Sequence, residues 1–168
     1  MVIGGQAVLI YGEARFTNDI DITLGVDIDR LEELKSAVKK MGFKITPNDP
    51  DRFAADTNVL PVIDKKSGIG IDFIFSYMEY ERAAIKRAKN VNYGGIKVKF
   101  TSAEDLVIHK ITAGRPKDME DAKNIIIKQK KLDLKYIRKW LAAFDESLSV
   151  NHLAALEKMI KMGKKRPR

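Results

Sequence analysis

Residues 4–21 read GGQAVLIYGEARFTNDID, a glycine pair followed by a basic residue and two aspartates. Gly4-Gly5 lets backbone amides approach an anion closely. Asp19 and Asp21, spaced i, i+2 on one strand, point to the same face. Together they suit a phosphate bound through a divalent metal. The apolar run Ala7 to Tyr11 reads as a short helix whose positive end lies at the glycines. Ile20 to Leu24 alternates with Asp19, Asp21 and Thr23 as a strand does, with one acidic and one apolar face.

Working outward, Asp29 followed by Glu32 has the spacing of a helix cap. Leu31, Leu34, Val38 and Met41 then recur at helical spacing, which predicts a helix over 30–41 ended by Gly42. Asp27 is read as a loop residue. Phe43 to Thr46 reads as a second strand, and Pro47 to Asn58 as a polar connection. Val59 to Asp64 and Ile69 to Phe75 flank a KKSG turn as a hairpin. Residues 77–89 form a charged helix, and Val91 to Tyr93 with Ile96 to Phe100 a second hairpin around Gly94-Gly95. Beyond this the chain is helical: Thr101 with Glu104 caps a helix reaching Ala113, followed by helices over about 117–130, 134–144 and 150–162. The expected fold class is α/β (α+β), a mixed sheet with flanking helices and a C-terminal helical part. The expected divisions are an α/β core over 1–100, a helical part over 101–162 and a disordered basic tail over 163–168.

Composition sets the class of molecule. The 168 residues are 45% hydrophobic and 32% charged, with no cysteine and two histidines, so disulfides and zinc are not expected. No apolar run reaches the roughly 20 residues of a membrane span, and the start has no leader pattern. A soluble, cytoplasmic protein without membrane contact is the expectation. Residues 1–83 hold 10 Lys/Arg and 14 Asp/Glu, for −4, whereas residues 84–168 hold 21 and 9, for +12. A basic half beside an acidic site draws in a polyanion such as a nucleotide or RNA. A solvated lysine-rich surface accounts for the same counts equally well.

Two clusters carry chemistry. Asp72 sits in the run IGIDFIFS, where a charge is costly to bury without a partner. It joins Asp19 and Asp21 as a candidate metal-binding and catalytic set. Magnesium is held by a few carboxylates plus substrate phosphates, and two such ions serve an in-line displacement at phosphorus. An Asp-x-Asp pair alone is also what a solvated strand carries, and a lone Gly-Gly is more often a turn. Arg15 and Thr17, between helix and strand, contact phosphate or brace the loop. The second cluster lies in KITAGRPKDMEDA. Lys110, Arg115 and Lys117 around a Gly-Pro break make a phosphate clamp. Asp118 and Asp121 share a helix face, where they hold Arg115 or Lys110 in place, or the first simply favours the helix N-terminus. His109 reads as a packed residue.

The pattern GGxAxxxYGxxRxTxDID, an Asp in a strand about fifty residues on, and EDLxxxKxxAGRxKDxxD resemble the nucleotidyltransferase superfamily of the DNA polymerase β type. Within it, they are most similar to the small abortive-infection type toxin and minimal nucleotidyltransferases. The resemblance covers residues 2–127. It implies two magnesium ions (or manganese), a nucleoside triphosphate (ATP or another) as donor, and transfer of a nucleoside monophosphate to a hydroxyl, on an RNA 3′ end such as that of tRNA or on a protein, in a toxin–antitoxin setting. It assigns Asp19, Asp21 and Asp72 to metal and catalysis, Gly4 and Gly5 to the triphosphate turn, and Lys110, Arg115, Lys117 and Asp118 to the downstream motif. It also implies a helix and most of a strand before the glycines, where this chain has Met1, Val2 and Ile3. An exposed edge covered by a partner chain or a second copy is the resulting expectation. The competing reading is a nucleotide-binding or interaction module without turnover.

Overall fold

The computed structural model describes residues 1–76 and 78–164. The chain divides into two compact units, one of Met1–Gln6 with Phe16–Thr101, the other of Ala7–Arg15 with the chain from Ser102 onward. The fold is mixed α/β, as expected.

The first unit is built on four strands: β1 (Asp19–Thr23), β2 (Phe43–Ile45), β3 (Val59–Asp64) and β4 (Gly70–Ile74), in the order β1-β4-β3-β2. β1 runs parallel to β4, while β3 is antiparallel to both β4 and β2, so the sheet is mixed. Leu60, Val62, Ile71 and Phe73 from the strands are buried together with Leu31, Val38 and Ala54, and Ile20, Ile22 and Leu24 pack against them. Strand alternation therefore sends Asp19, Asp21 and Asp72 to the opposite face.

Helix α2 (Leu31–Lys40) follows a single 3-10 turn over Ile28–Arg30. The expected Asp29 cap is corrected here: Asp27 caps the turn, accepting from the Ile28 N–H, and Arg30 precedes α2 without a side-chain cap. The expected connection over 47–58 contains helix α3 (Pro50–Thr57). Asp49 accepts from the Arg52 N–H, Pro50 fixes the first turn, and Asn58 ends the helix in the left-handed region at φ 56°. Only Ala54 of α3 is buried, so no apolar periodicity announced the helix. The charged helix, α4, spans Glu79–Arg87. β5 (Lys89–Tyr93) and β6 (Ile96–Phe100) form the expected hairpin. Gly94 and Gly95 both have positive φ, 58° and 87°, as a tight primed turn requires.

The exposed edge expected beside Gly4 is absent from this unit. The Ile3 N–H donates to the Asp21 carbonyl and the Thr23 N–H to that of Met1. On the other side the Val2 N–H donates to the Lys99 carbonyl and the Thr101 N–H to that of Val2. Three residues therefore complete the ladder between β1 and β6, the role expected of a partner.

In the second unit, α5 (Ala103–Ala113), α6 (Pro116–Lys128), α7 (Leu134–Leu148) and α8 (His152–Lys164) follow one another, and α1 (Gly4–Tyr11) enters it from Ala7. Leu106, Ile108, Ile111, Ile125, Ile137, Leu141 and Leu156 are fully buried there. The cap of α5 is one residue later than Thr101 with Glu104: the Ser102 hydroxyl accepts from the Asp105 N–H and donates to the Asp105 carboxylate. Asp105 is held again by the Tyr136 hydroxyl at 2.8 Å. Of the tail expected over 163–168, Gly163 and Lys164 belong to α8, and 165–168 lie outside the described residues. Among the described residues no helix is long and apolar enough to cross a membrane.

Candidate active site

The parallel register of β1 on β4 sets Asp21 beside Asp72 and Asp19 beside Gly70. One carboxylate oxygen from each of Asp19, Asp21 and Asp72 lies within 4.8 Å of the other two. Asp19 is exposed and the other two are half-buried. Burial first, then the charge of Asp19, pushes the Asp72 carboxyl above the usual carboxylate range. Like charges crowded in this way form a site that a divalent cation neutralises, and an all-oxygen donor set is the one magnesium and manganese take. The residues therefore fit such an ion.

The glycine pair is placed against this group. Gly4 has φ +61°, and a β-carbon on it would lie 1.7 Å from Asp21 Oδ2. A β-carbon on Gly5 would lie 2.4 Å from Thr17 Oγ1. Both glycines are thus required by close approach, and at Gly4 the backbone conformation demands it too. The Thr17 hydroxyl donates to Asp19 Oδ1 at 2.9 Å and so fixes one of the three carboxylates.

In the second unit the downstream motif is a chain of ion pairs. Lys110, with a side chain only 6% exposed, donates from Nζ to Asp118 Oδ1 at 2.7 Å and lies 3.0 Å from Asp121 Oδ2. Arg115 Nε pairs with Asp118 Oδ2 at 2.5 Å, and Arg15 grips Asp121 through Nε at 3.0 Å and Nη2 at 2.9 Å. Three cations thus surround two buried carboxylates. Burial pushes the Asp118 and Asp121 carboxyls up, but hydrogen bonds from Arg115 and Lys110 to the first, and from Arg15 and Lys110 to the second, outweigh it and leave both below the usual range. Lys110 and Arg15 are committed to carboxylates inside the unit, whereas Arg115 and Lys117 are exposed. The Arg15–Asp121 pair joins residues 106 positions apart and had no signal in the sequence. His109 is a packed residue: burial lowers its imidazolium to about 4, against a smaller opposing pull from Asp105.

Among curated proteins none matches the chain. Among solved structures, an antigenic nucleotidyltransferase-like protein from Paracoccidioides brasiliensis is similar, with 17% identity, a TM-score of 0.51, and coverage of 93% of this chain and 83% of that one. The lincomycin-bound lincosamide antibiotic adenylyltransferase LnuA has 17% identity and a TM-score of 0.49, with 74% of this chain and 83% of that chain covered. The family described as "Nucleotidyltransferase of unknown function (DUF6036)" matches residues 1–162, and the chain belongs to that nucleotidyltransferase family.

Proposed function

We propose that the protein transfers a nucleoside monophosphate from a nucleoside triphosphate to a hydroxyl at the 3′ end of an RNA, in the cytoplasm, as the toxin enzyme of a toxin–antitoxin pair. The observation that carries the transfer reaction is the convergence of Asp19, Asp21 and Asp72 on one face beside Gly4. RNA is favoured as acceptor by the +12 charge of residues 84–168.

Asp19 and Asp21 would hold two magnesium ions, with Asp72 on the acceptor side. Bound there, the ions supply charge stabilisation to the phosphates and lower the pKa of the acceptor hydroxyl. The amides at Gly4 and Gly5 would approach the triphosphate, neither residue carrying a side chain of its own. Asp72, on the acceptor side, would take the hydroxyl proton. The acceptor oxygen then bonds to the α-phosphorus as the bond to the bridging oxygen breaks, and pyrophosphate leaves. Arg115 and Lys117 are assigned to phosphate contacts. Lys110, Arg15, Asp118 and Asp121 act as positioning residues that fix the turn carrying them.

The test is transfer of α-labelled nucleotide to RNA by the wild type and by Asp19→Asn with Asp21→Asn. Label should reach RNA only with the wild type and magnesium, while both proteins show the same folded circular dichroism spectrum without the ion. Transfer surviving the double substitution would refute the site, and label on protein instead of RNA would refute the acceptor.

A further inference from the structure

From Arg82 to Thr101 the sequence holds six Lys or Arg and no acidic residue. Four residues of the β5–β6 hairpin gather on one face. The register pairs Asn90 with Lys99 and Asn92 with Lys97, and alternation puts these two pairs on the side away from Val91 and Val98. All four are exposed. Among the described residues, neither Lys97 nor Lys99 has a carboxylate partner. Asparagine and lysine are both disfavoured in strands, and the two lysines repel each other from i, i+2 positions about 7 Å apart along the strand. The stability of the hairpin does not account for this choice. A ladder of ammonium and amide donors does match a row of phosphates and the sugar hydroxyls between them.

We infer that the Asn90, Asn92, Lys97 and Lys99 face of the hairpin is a track for the backbone of single-stranded RNA. This deepens the proposed function and rests on its RNA acceptor. The face carries no aromatic side chain for base stacking, so binding there reads backbone charge and not sequence.

The test is binding of a fluorescent single-stranded RNA oligonucleotide to the full-length protein and to Lys97→Ala with Lys99→Ala, over a series of salt concentrations. The expected result is an affinity lowered about tenfold at low salt, with the log–log salt slope reduced by about 1.4 for two lost phosphate contacts. Lys97→Arg with Lys99→Arg should restore binding, and Lys39→Ala with Lys40→Ala on α2 should leave it unchanged. Lys97→Ala with Lys99→Ala should bind nucleoside triphosphate and magnesium as the wild type does, which separates failure of the track from failure of the transfer site. Unchanged affinity and slope in the alanine variant would overturn the inference, as would a polyglutamate peptide competing as well as RNA does.

Discussion

Gly4 and Asp21 approach so closely that a single added β-carbon on the glycine would sit 1.7 Å from Asp21 Oδ2. The turn before α1 and the middle of β1 are therefore fixed against each other. Gly4→Ala would meet both this collision and a left-handed φ of +61°, which costs a side-chain-bearing residue about 1–2 kcal/mol. Asp21 must move aside. Displacement by about 1 Å at a reacting centre costs on the order of 100-fold in rate, so single-turnover transfer should fall by about that factor. A variant with unchanged transfer would show that the contact is not needed.

Thr17 acts through Asp19. Thr17→Val keeps the volume and removes the 2.9 Å hydrogen bond to Asp19 Oδ1. Loss of such an outer partner weakens metal binding by about 10–100-fold. Titration with manganese should show that loss, and Thr17→Ser should recover it. Equal weakening in the serine variant would assign Thr17 a packing role instead.

A divalent cation should stabilise the fold, because it would find the three carboxylates gathered only when the sheet has brought them together. At 100 times its dissociation constant, the gain is about 2.7 kcal/mol. Thermal melts with and without magnesium measure it. Asp19→Asn should abolish most of the difference, and an identical magnesium effect in that variant would place the cation elsewhere.

Lys110 bridges two carboxylates with side chains 0% and 7% exposed. Lys110→Met removes the cation and leaves Asp118 and Asp121 to Arg115 and Arg15. Breaking a buried pair costs about 3–5 kcal/mol when the remaining charge is left uncompensated, so with both arginines still in place the expected loss is smaller than that, read as a lower denaturant midpoint.

The same groups set the response to acid. His109 is lowered from 6.5 in the unfolded chain to about 4 in the fold, so the unfolded chain binds the extra proton first. Stability is full above pH 6.5 and falls as the pH drops toward 4. Asp118 and Asp121, both held below 3.8, take the loss further at lower pH. His109→Gln should flatten the decline between pH 6.5 and 4 and leave the steeper one below it. An unchanged slope in that upper window would mean that His109 titrates normally.

Much of the first unit was legible because its signals are local. Alternation around Asp19 and Asp21, the isolated charge of Asp72 among apolar neighbours, and the Gly94-Gly95 turn each report through residues adjacent in the chain. The caps were misread by one or two positions at Asp29 and Thr101, because Asp27 and Ser102 offer equivalent side chains and local sequence does not choose between them. Helix α3 was missed because a helix with one buried residue has little amphipathic pattern.

The local pattern of the sequence marked the candidate side chains: the three aspartates, the glycine pair and the cations of the downstream motif, each in a pattern a few residues long. Only the tertiary structure decided what those side chains do to one another. It set Asp21 beside Asp72 through a parallel register, filled the strand edge with Met1 to Ile3, and turned Lys110 and Arg15 inward onto Asp121. The reason is physical. Strand register and buried ion pairs are settled by packing between segments far apart in the chain, and a charge removed from water takes whichever partner the fold brings within reach.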